Sequence, residues 1–358
     1  MKVLFRADSN KVIAMGHVMR CLSIADALKE EKNEVLFLTA TEDPVELITR
    51  RGFDVKVLNT DFEHPDDEFT VSKPLIEAFD PDITVVDSYY VTDAFFEQLN
   101  TLSKTCYIDD YGKEAFPVDV LVNYNIYGPT VPYIALYAKK GLTLPKLCLG
   151  TEYTPLRKAF RDAKPIRIKE KGEFKVLLST GGSDALSMAK DIADKFLLTR
   201  LKDVSLNILV GPFSKDRDYL FKLEKENPHR IKIRENITDM PGFLSEFDLA
   251  LSAAGSTSYE ICRMGVPAML FGIADNQNMI NQTFDTLDII KSAGSAESER
   301  ERVIGNLITF IREAKENYPY RVSASERERK TVDGKGAMRI TKVLTGLIIY
   351  NFHTTKEN

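Results

Sequence analysis

The stretch MKVLFRADSNKVIAMGHVMRCLSIADALKE, residues 1–30, decides the fold class. Residues 3–5 form a short apolar run that reads as a buried strand. After a polar loop, Val18, Cys21, Leu22, Ala25 and Leu28 fall at i, i+3, i+4, i+7 and i+10, which makes one continuous apolar helix face. The unit of strand, loop and helix then recurs. Residues 35–39, 55–58, 83–86, 106–108 and 118–122 read as further strands bounded by polar or turn residues. A Pro- and charge-containing segment from Thr154 to Gly172 interrupts the pattern. It restarts with strands at 176–179, 206–210, 231–233, 249–252 and 267–271 and helices at 184–198, 215–226, 240–246 and 256–264. The charged run from Glu297 to Arg302 opens another helix.

Strands alternating with helices predict parallel sheets covered on both faces. The expected fold is therefore α/β with two Rossmann-like domains, residues 1–160 and 161–335. A final helix from about 336 would then pack back on the first domain. The length of 358 residues suits two domains of about 150–180 residues each. Ligands of such sheets bind beyond the carboxyl ends of the strands. Functional residues are thus expected just after strands, in the cleft between the halves.

Composition narrows the function classes. Hydrophobic residues at 44% suffice for two cores, and charged residues at 28% are evenly mixed, with a net charge of −5 and no basic stripe. Nucleic-acid binding is therefore not expected. Cys21, Cys106, Cys148 and Cys262 form no C-x-x-C pair, so they read as small buried hydrophobes rather than disulfides or a zinc site. The N-terminus reads as a strand, not a signal peptide, and no apolar run approaches the roughly 18 residues that span a bilayer. A cytoplasmic protein without membrane insertion is expected, and a monomer.

The first loop lacks G-x-G-x-x-G and Walker spacing, which argues against a dinucleotide site. It carries Gly16-His17 where the chain enters the helix. At a helix N-terminus the dipole disfavours imidazolium, so His17 is expected neutral near pH 7, facing the cleft and able to take a proton from water. The alternative is a histidine that only caps or packs. Asp8 and Arg20 are further candidates, an orienting carboxylate and a phosphate or sugar contact. Surface salt bridges would account for them equally well.

In the second half, Thr180-Gly181-Gly182-Ser183-Asp184 follows a strand and precedes a helix, a pattern suited to an anion because exposed N–H groups and the helix dipole point the same way. Gly255-Ser256-Thr257 repeats this, with Glu260 one turn on and spaced for ribose hydroxyls. A plain capping box from Thr257 to Glu260 is the alternative. Asp275-Asn276-Gln277 follows the next strand and offers amides that both donate and accept, as sugar hydroxyls and acetamido groups require.

These motifs occur in order with Gly16-His-Val-Met-Arg-Cys-Leu, Val86-Asp-Ser-Tyr89, Ile108-Asp-Asp110, Leu149-Gly150 with Tyr153 and Leu156-Arg157, Ala254-Gly-Ser-Thr-Ser-Tyr-Glu260 and Val332-Asp-Gly-Lys-Gly-Ala337. The set resembles the UDP-2,4-diacetamido-2,4,6-trideoxy-β-L-altropyranose hydrolases of pseudaminic acid biosynthesis and the related spore coat polysaccharide and flagellin-modification proteins. The resemblance implies a glycosyltransferase type B fold, with UDP held mainly by the C-terminal domain and no metal or other cofactor. His17 matches the base that activates water. Tyr89 and Asn276 complete the catalytic set near the sugar and the pyrophosphate, and Glu260 matches the ribose carboxylate. The adjacent pair Asp109-Asp110 reads as loop or cap carboxylates. Two other classes stay open. One is a glycosyltransferase with a UDP-sugar donor, for which Lys139–Lys146 is the only candidate membrane-facing segment. The other is a non-catalytic sugar-nucleotide binding protein.

Overall fold

The computed structural model describes residues 1–10 and 15–354, without the side chains of Asp275, Asn276 and residues 349–354. Thirteen strands alternate with fourteen α-helices among these residues. They fall into two compact units, one of Met1–Lys158 with Gly334–Asn358, the other Ala159–Asp333.

The first unit holds β1 (Lys2–Ala7), β2 (Glu34–Thr39), β3 (Asp54–Val57), β4 (Ile83–Asp87), β5 (Lys104–Ile108), β6 (Val120–Asn123) and β7 (Lys146–Leu149). All pair in parallel, in the order β3-β2-β1-β4-β5-β6-β7. Its helices are α1 (Gly16–Glu30), α2 (Val45–Arg50), α3 (Phe69–Phe79), α4 (Asp93–Leu99) and α5 (Tyr133–Lys140); α6 (Lys158–Asp162) follows at the unit boundary. The five apolar residues that predict α1 are all fully buried. A strand covered on both faces needs no polar alternation, which is why Val3, Leu4 and Phe5 are consecutive and all buried.

The second unit holds β8 (Phe174–Ser179), β9 (Val204–Leu209), β10 (Ile231–Arg234), β11 (Leu249–Ala253), β12 (Ala268–Gly272) and β13 (Lys291–Ser295), parallel in the order β10-β9-β8-β11-β12-β13. The helices are α7 (Met188–Leu197), α8 (Arg217–Glu226), α9 (Met240–Leu244), α10 (Ser256–Met264), α11 (Asp275–Thr286), α12 (Ala296–Glu316) and α13 (Tyr318–Thr331). The last helix, α14 (Gly336–Thr354), belongs to the first unit and packs on α1.

Several elements differ from the sequence reading. β7 and β13 are additional strands, and the periodicity gave neither: β7 has four residues, and β13 is the small, polar run Lys-Ser-Ala-Gly-Ser. Helix α7 begins at Met188 rather than 184, because residues 181–187 are spent in turns, with Asp184 and Ser187 in left-handed backbone.

Strand order reverses direction between β1 and β4 in one sheet and between β8 and β11 in the other. Such switch points open a crevice beyond the carboxyl ends of the two central strands. His17 and Asp87 flank the first, and Gly181-Gly182 and Gly255 flank the second.

Candidate active site

At the first switch point α1 starts directly on Gly16, without a side-chain cap, so its second residue, His17, is held in the first turn. Asp87 is the last residue of β4, in register with Ala7 at the end of β1. Helix start and strand end therefore meet, and His17 Nδ1 lies 2.8 Å from Asp87 Oδ1. The other ring nitrogen, Nε2, is buried with no hydrogen-bond partner among the described residues. The Tyr89 ring stands edge-on to the imidazole, centroids 4.4 Å apart.

The His17 side chain is buried, only 4% exposed. The expectation that the helix dipole disfavours its protonation needs correction. Burial works against the charged ring, as does the Arg20 charge, but Asp87, by charge and hydrogen bond, together with Asp110 outweighs both, and His17's pKa is raised above the usual histidine value.

Arg20, one turn along α1, forks onto the same carboxylate: Nε reaches Asp87 Oδ2 and Nη2 reaches Oδ1, each at 2.5 Å. Its Nη1 donates to Asp110 Oδ1 and to the Tyr124 hydroxyl, both at 2.8 Å. Burial resists ionisation of Asp87, yet Arg20 and then His17 hold its carboxyl well below the usual range. Arg20, expected as a phosphate or sugar contact, is instead buried, with four donated bonds inside the fold.

Asp8 is not in this group. One of its oxygens accepts from the Ala40 amide at 2.7 Å, and the other pairs with Arg6, which also forks onto Glu68. The Asp109-Asp110 pair divides. Asp109 does serve as a loop cap, accepting from the amides of Tyr111 and Gly112 and from the Tyr133 hydroxyl. Asp110 joins Arg20 instead. Asp87 and Asp110 are thus the site residues that the sequence reading did not assign. Each carboxylate stands at or just past a strand's carboxyl end, within the motifs Val86-Asp-Ser-Tyr89 and Ile108-Asp-Asp110.

The second switch point is built of small residues. Gly181, Gly182 and Ser183 lie in the turn after β8. The α7 start that follows is taken by the chain itself, since the Asp184 carboxylate accepts from the amides of Met188 and Ala189 at 2.9 and 3.0 Å. A diphosphate on that helix end would have to displace Asp184. The start of α10 differs: Gly255 is the N-cap residue, no side chain caps it, and a Cβ there would meet nothing within 4 Å. The expected alternative of Thr257 as cap does not form. Ser256 is exposed, and Thr257 and Glu260 are half-buried along the first turns. The helix ends on Gly265 at φ +70°, where a Cβ would lie 2.7 Å from Arg329 Cγ, so glycine is required on both conformational and steric grounds. Gln277 Oε1 accepts from the Ile273 amide at 3.2 Å and steadies the entry to α11. The side chains of Asp275 and Asn276 lie outside the described residues.

Close packing at this switch point gives one prediction. A Cβ on Gly211 would collide with the carbonyl oxygens of Gly181 and Gly182. Gly211→Ala should destabilise the protein by about 1–3 kcal/mol in denaturant melts, the usual cost of an added methyl in packed backbone. A melt unchanged by that variant would show that the glycine turn is not held in this way.

The two parallel α/β units define the class of fold, that of type B glycosyltransferases. The chain superposes on MurG of Acinetobacter baumannii with a TM-score of 0.68 at 15% identity, covering 97% of this chain and 100% of that one. It superposes on a putative UDP-N-acetylglucosamine 2-epimerase of Listeria monocytogenes with a TM-score of 0.63 at 15% identity, covering 96% and 95%. No family model matches the sequence. Among individual relatives, the spore coat polysaccharide biosynthesis protein SpsG of Bacillus subtilis is 25% identical over 95% of this chain and 97% of its own. An uncharacterized protein of Methanocaldococcus jannaschii, MJ1062, is 28% identical over 75% of this chain, and the match spans only 55% of that longer protein. The pseudaminic acid cytidylyltransferase and UDP-2,4-diacetamido-2,4,6-trideoxy-beta-L-altropyranose hydrolase of Helicobacter pylori is 27% identical over 143 residues, 40% of this chain and 25% of its own.

Proposed function

We propose that this chain is a metal-independent UDP-sugar hydrolase of surface polysaccharide biosynthesis, which releases a 2,4-diacetamido-2,4,6-trideoxyhexose from UDP. The observation that carries the reading is the His17–Asp87 pair at the first switch point. Asp87 engages Nδ1, which leaves Nε2 as the one ring nitrogen still able to exchange a proton with a ligand. The hydrolase activity of the Helicobacter relative supports such a substrate, and the spore coat polysaccharide biosynthesis of SpsG supports the pathway class.

In this reading a water oxygen attacks the anomeric carbon while neutral His17 Nε2 takes one of its protons. The bond from that carbon to the phosphate oxygen breaks, and its electron pair leaves with UDP. Asp87 stabilises the imidazolium that forms, as a carboxylate behind a catalytic histidine does. Tyr89 and Asn276 are assigned to the sugar and pyrophosphate, and Gly16 opens α1 one residue before His17. Gly255, Ser256 and Thr257 approach the diphosphate at the uncapped start of α10, Gly181, Gly182 and Ser183 border it, Glu260 receives the ribose hydroxyls, and Asp275 and Gln277 shape the neighbouring helix entry. A lipid-linked acceptor would favour the transferase alternative. Lys140, near the start of the segment that such an acceptor would use, is tied down by Asp93 and the Ala115 carbonyl.

The test is turnover of the UDP-trideoxyhexose in heavy-oxygen water. Label is expected in the free sugar and none in UDP. Label in UDP would move the attack to phosphorus, and release that occurs only when a sugar acceptor is added would make the chain a transferase.

A further inference from the structure

Asp110 takes no direct part in that chemistry, yet Arg20, which clamps the partner of His17, and Tyr89, which abuts its ring, both end on it. One of its oxygens accepts from Arg20 Nη1 at 2.8 Å and from Asn125 Nδ2 at 3.1 Å. The other accepts from the Tyr89 hydroxyl at 3.0 Å. Arg20 in turn clamps Asp87, the partner of His17 Nδ1, and the Tyr89 ring abuts the imidazole edge-on. The Tyr127 hydroxyl donates to the Asp110 carbonyl and fixes the backbone that carries this carboxylate.

We propose that Asp110 is a positioning residue for His17, acting through Arg20 and Asp87 on one side and through Tyr89 on the other. The inference rests on the reading of His17 as the proton acceptor and names the residue that tunes it.

Charge balance gives the proposal its sign. Around the His17–Asp87 pair stand Arg20 and Cys21 from α1, Tyr89 beyond β4, Asp110 beyond β5 and Tyr124 beyond β6. Asp87 and Asp110 are negative and Arg20 is positive, so the buried group carries one net negative charge until His17 is protonated. Burial strengthens this preference for neutrality. Asp110→Asn removes one negative charge while keeping the shape, and the group is then neutral without a proton on His17. The imidazole should therefore bind its proton less tightly.

Ring-nucleus NMR of His17 in the ligand-free protein reads this directly. Asp110→Asn is expected to lower the His17 titration midpoint by about one pH unit or more, as loss of a nearby buried charge does. The acid limb of kcat/KM should move down with it. Tyr89→Phe cuts the second arm without changing charge. It should leave the midpoint in place and lower kcat, with KM changing less. Asp110→Ser removes the same charge without turning an amide N–H toward Arg20, and serves if the asparagine variant does not fold. A folded charge-removing variant whose midpoint stays put would overturn the proposal. So would an unmodified protein in which His17 titrates at or below the ordinary value of about 6.5. The titration needs no substrate, so it stands or falls separately from the hydrolase reading.

Discussion

His17→Asn is expected to lower kcat by about 10²–10⁴-fold, the usual worth of a positioned general base, while KM changes little. The asparagine amide can still donate to Asp87, so the buried carboxylate keeps a partner and the fold should hold. What is lost is the nitrogen that accepts the water proton. The unmodified enzyme should also show an acid limb in kcat/KM. Only the neutral ring accepts a proton, so activity falls as pH drops through the His17 pKa, which Asp87 raises above the usual histidine value. That limb should vanish from the residual rate of the variant. Steady-state kinetics across pH checks both points, and full turnover by His17→Asn would remove the assigned base.

Asp87→Asn should be as damaging to turnover and worse for stability. A carboxylate-to-amide change behind a catalytic histidine costs about 10⁴-fold in the serine-protease triad, because the wrong tautomer is then favoured. Here the same change also strips Arg20 of a bidentate partner at 2.5 Å in a buried setting. Breaking a buried ion pair from one side typically costs about 3–5 kcal/mol, since the remaining charge stays desolvated. Thermal or denaturant melts should therefore show a large loss alongside the kinetic one. A variant as stable as the parent would mean that Arg20 finds compensation elsewhere, and one with parental kcat would mean that His17 does not rely on Asp87.

Part of the site is legible in the residues themselves, and part is not. His17 after the first strand and the uncapped glycine entry at Gly255 follow from local rules, because glycine geometry and strand-to-helix order act over a few residues. The carboxylates do not. Asp87 and Asp110 lie 70 and 93 positions from His17, and nothing local separates them from the loop cap Asp109 or from Asp8, which is tied to Arg6 and Ala40. Asp184 shows the same limit. Its sequence position suggests an open helix end, whereas the turn at residues 184–187 swings its carboxylate onto the amides of Met188 and Ala189.

By itself the sequence determined two tandem parallel α/β units and the strand ends where unusual residues collect, since periodicity and glycine placement are properties of short segments. Tertiary structure alone decided the company His17 keeps, and with it the direction in which the ring's proton affinity moves. Proton affinity in a buried site depends on the charges that distant strands bring within a few ångströms, and no spacing along the chain encodes that distance.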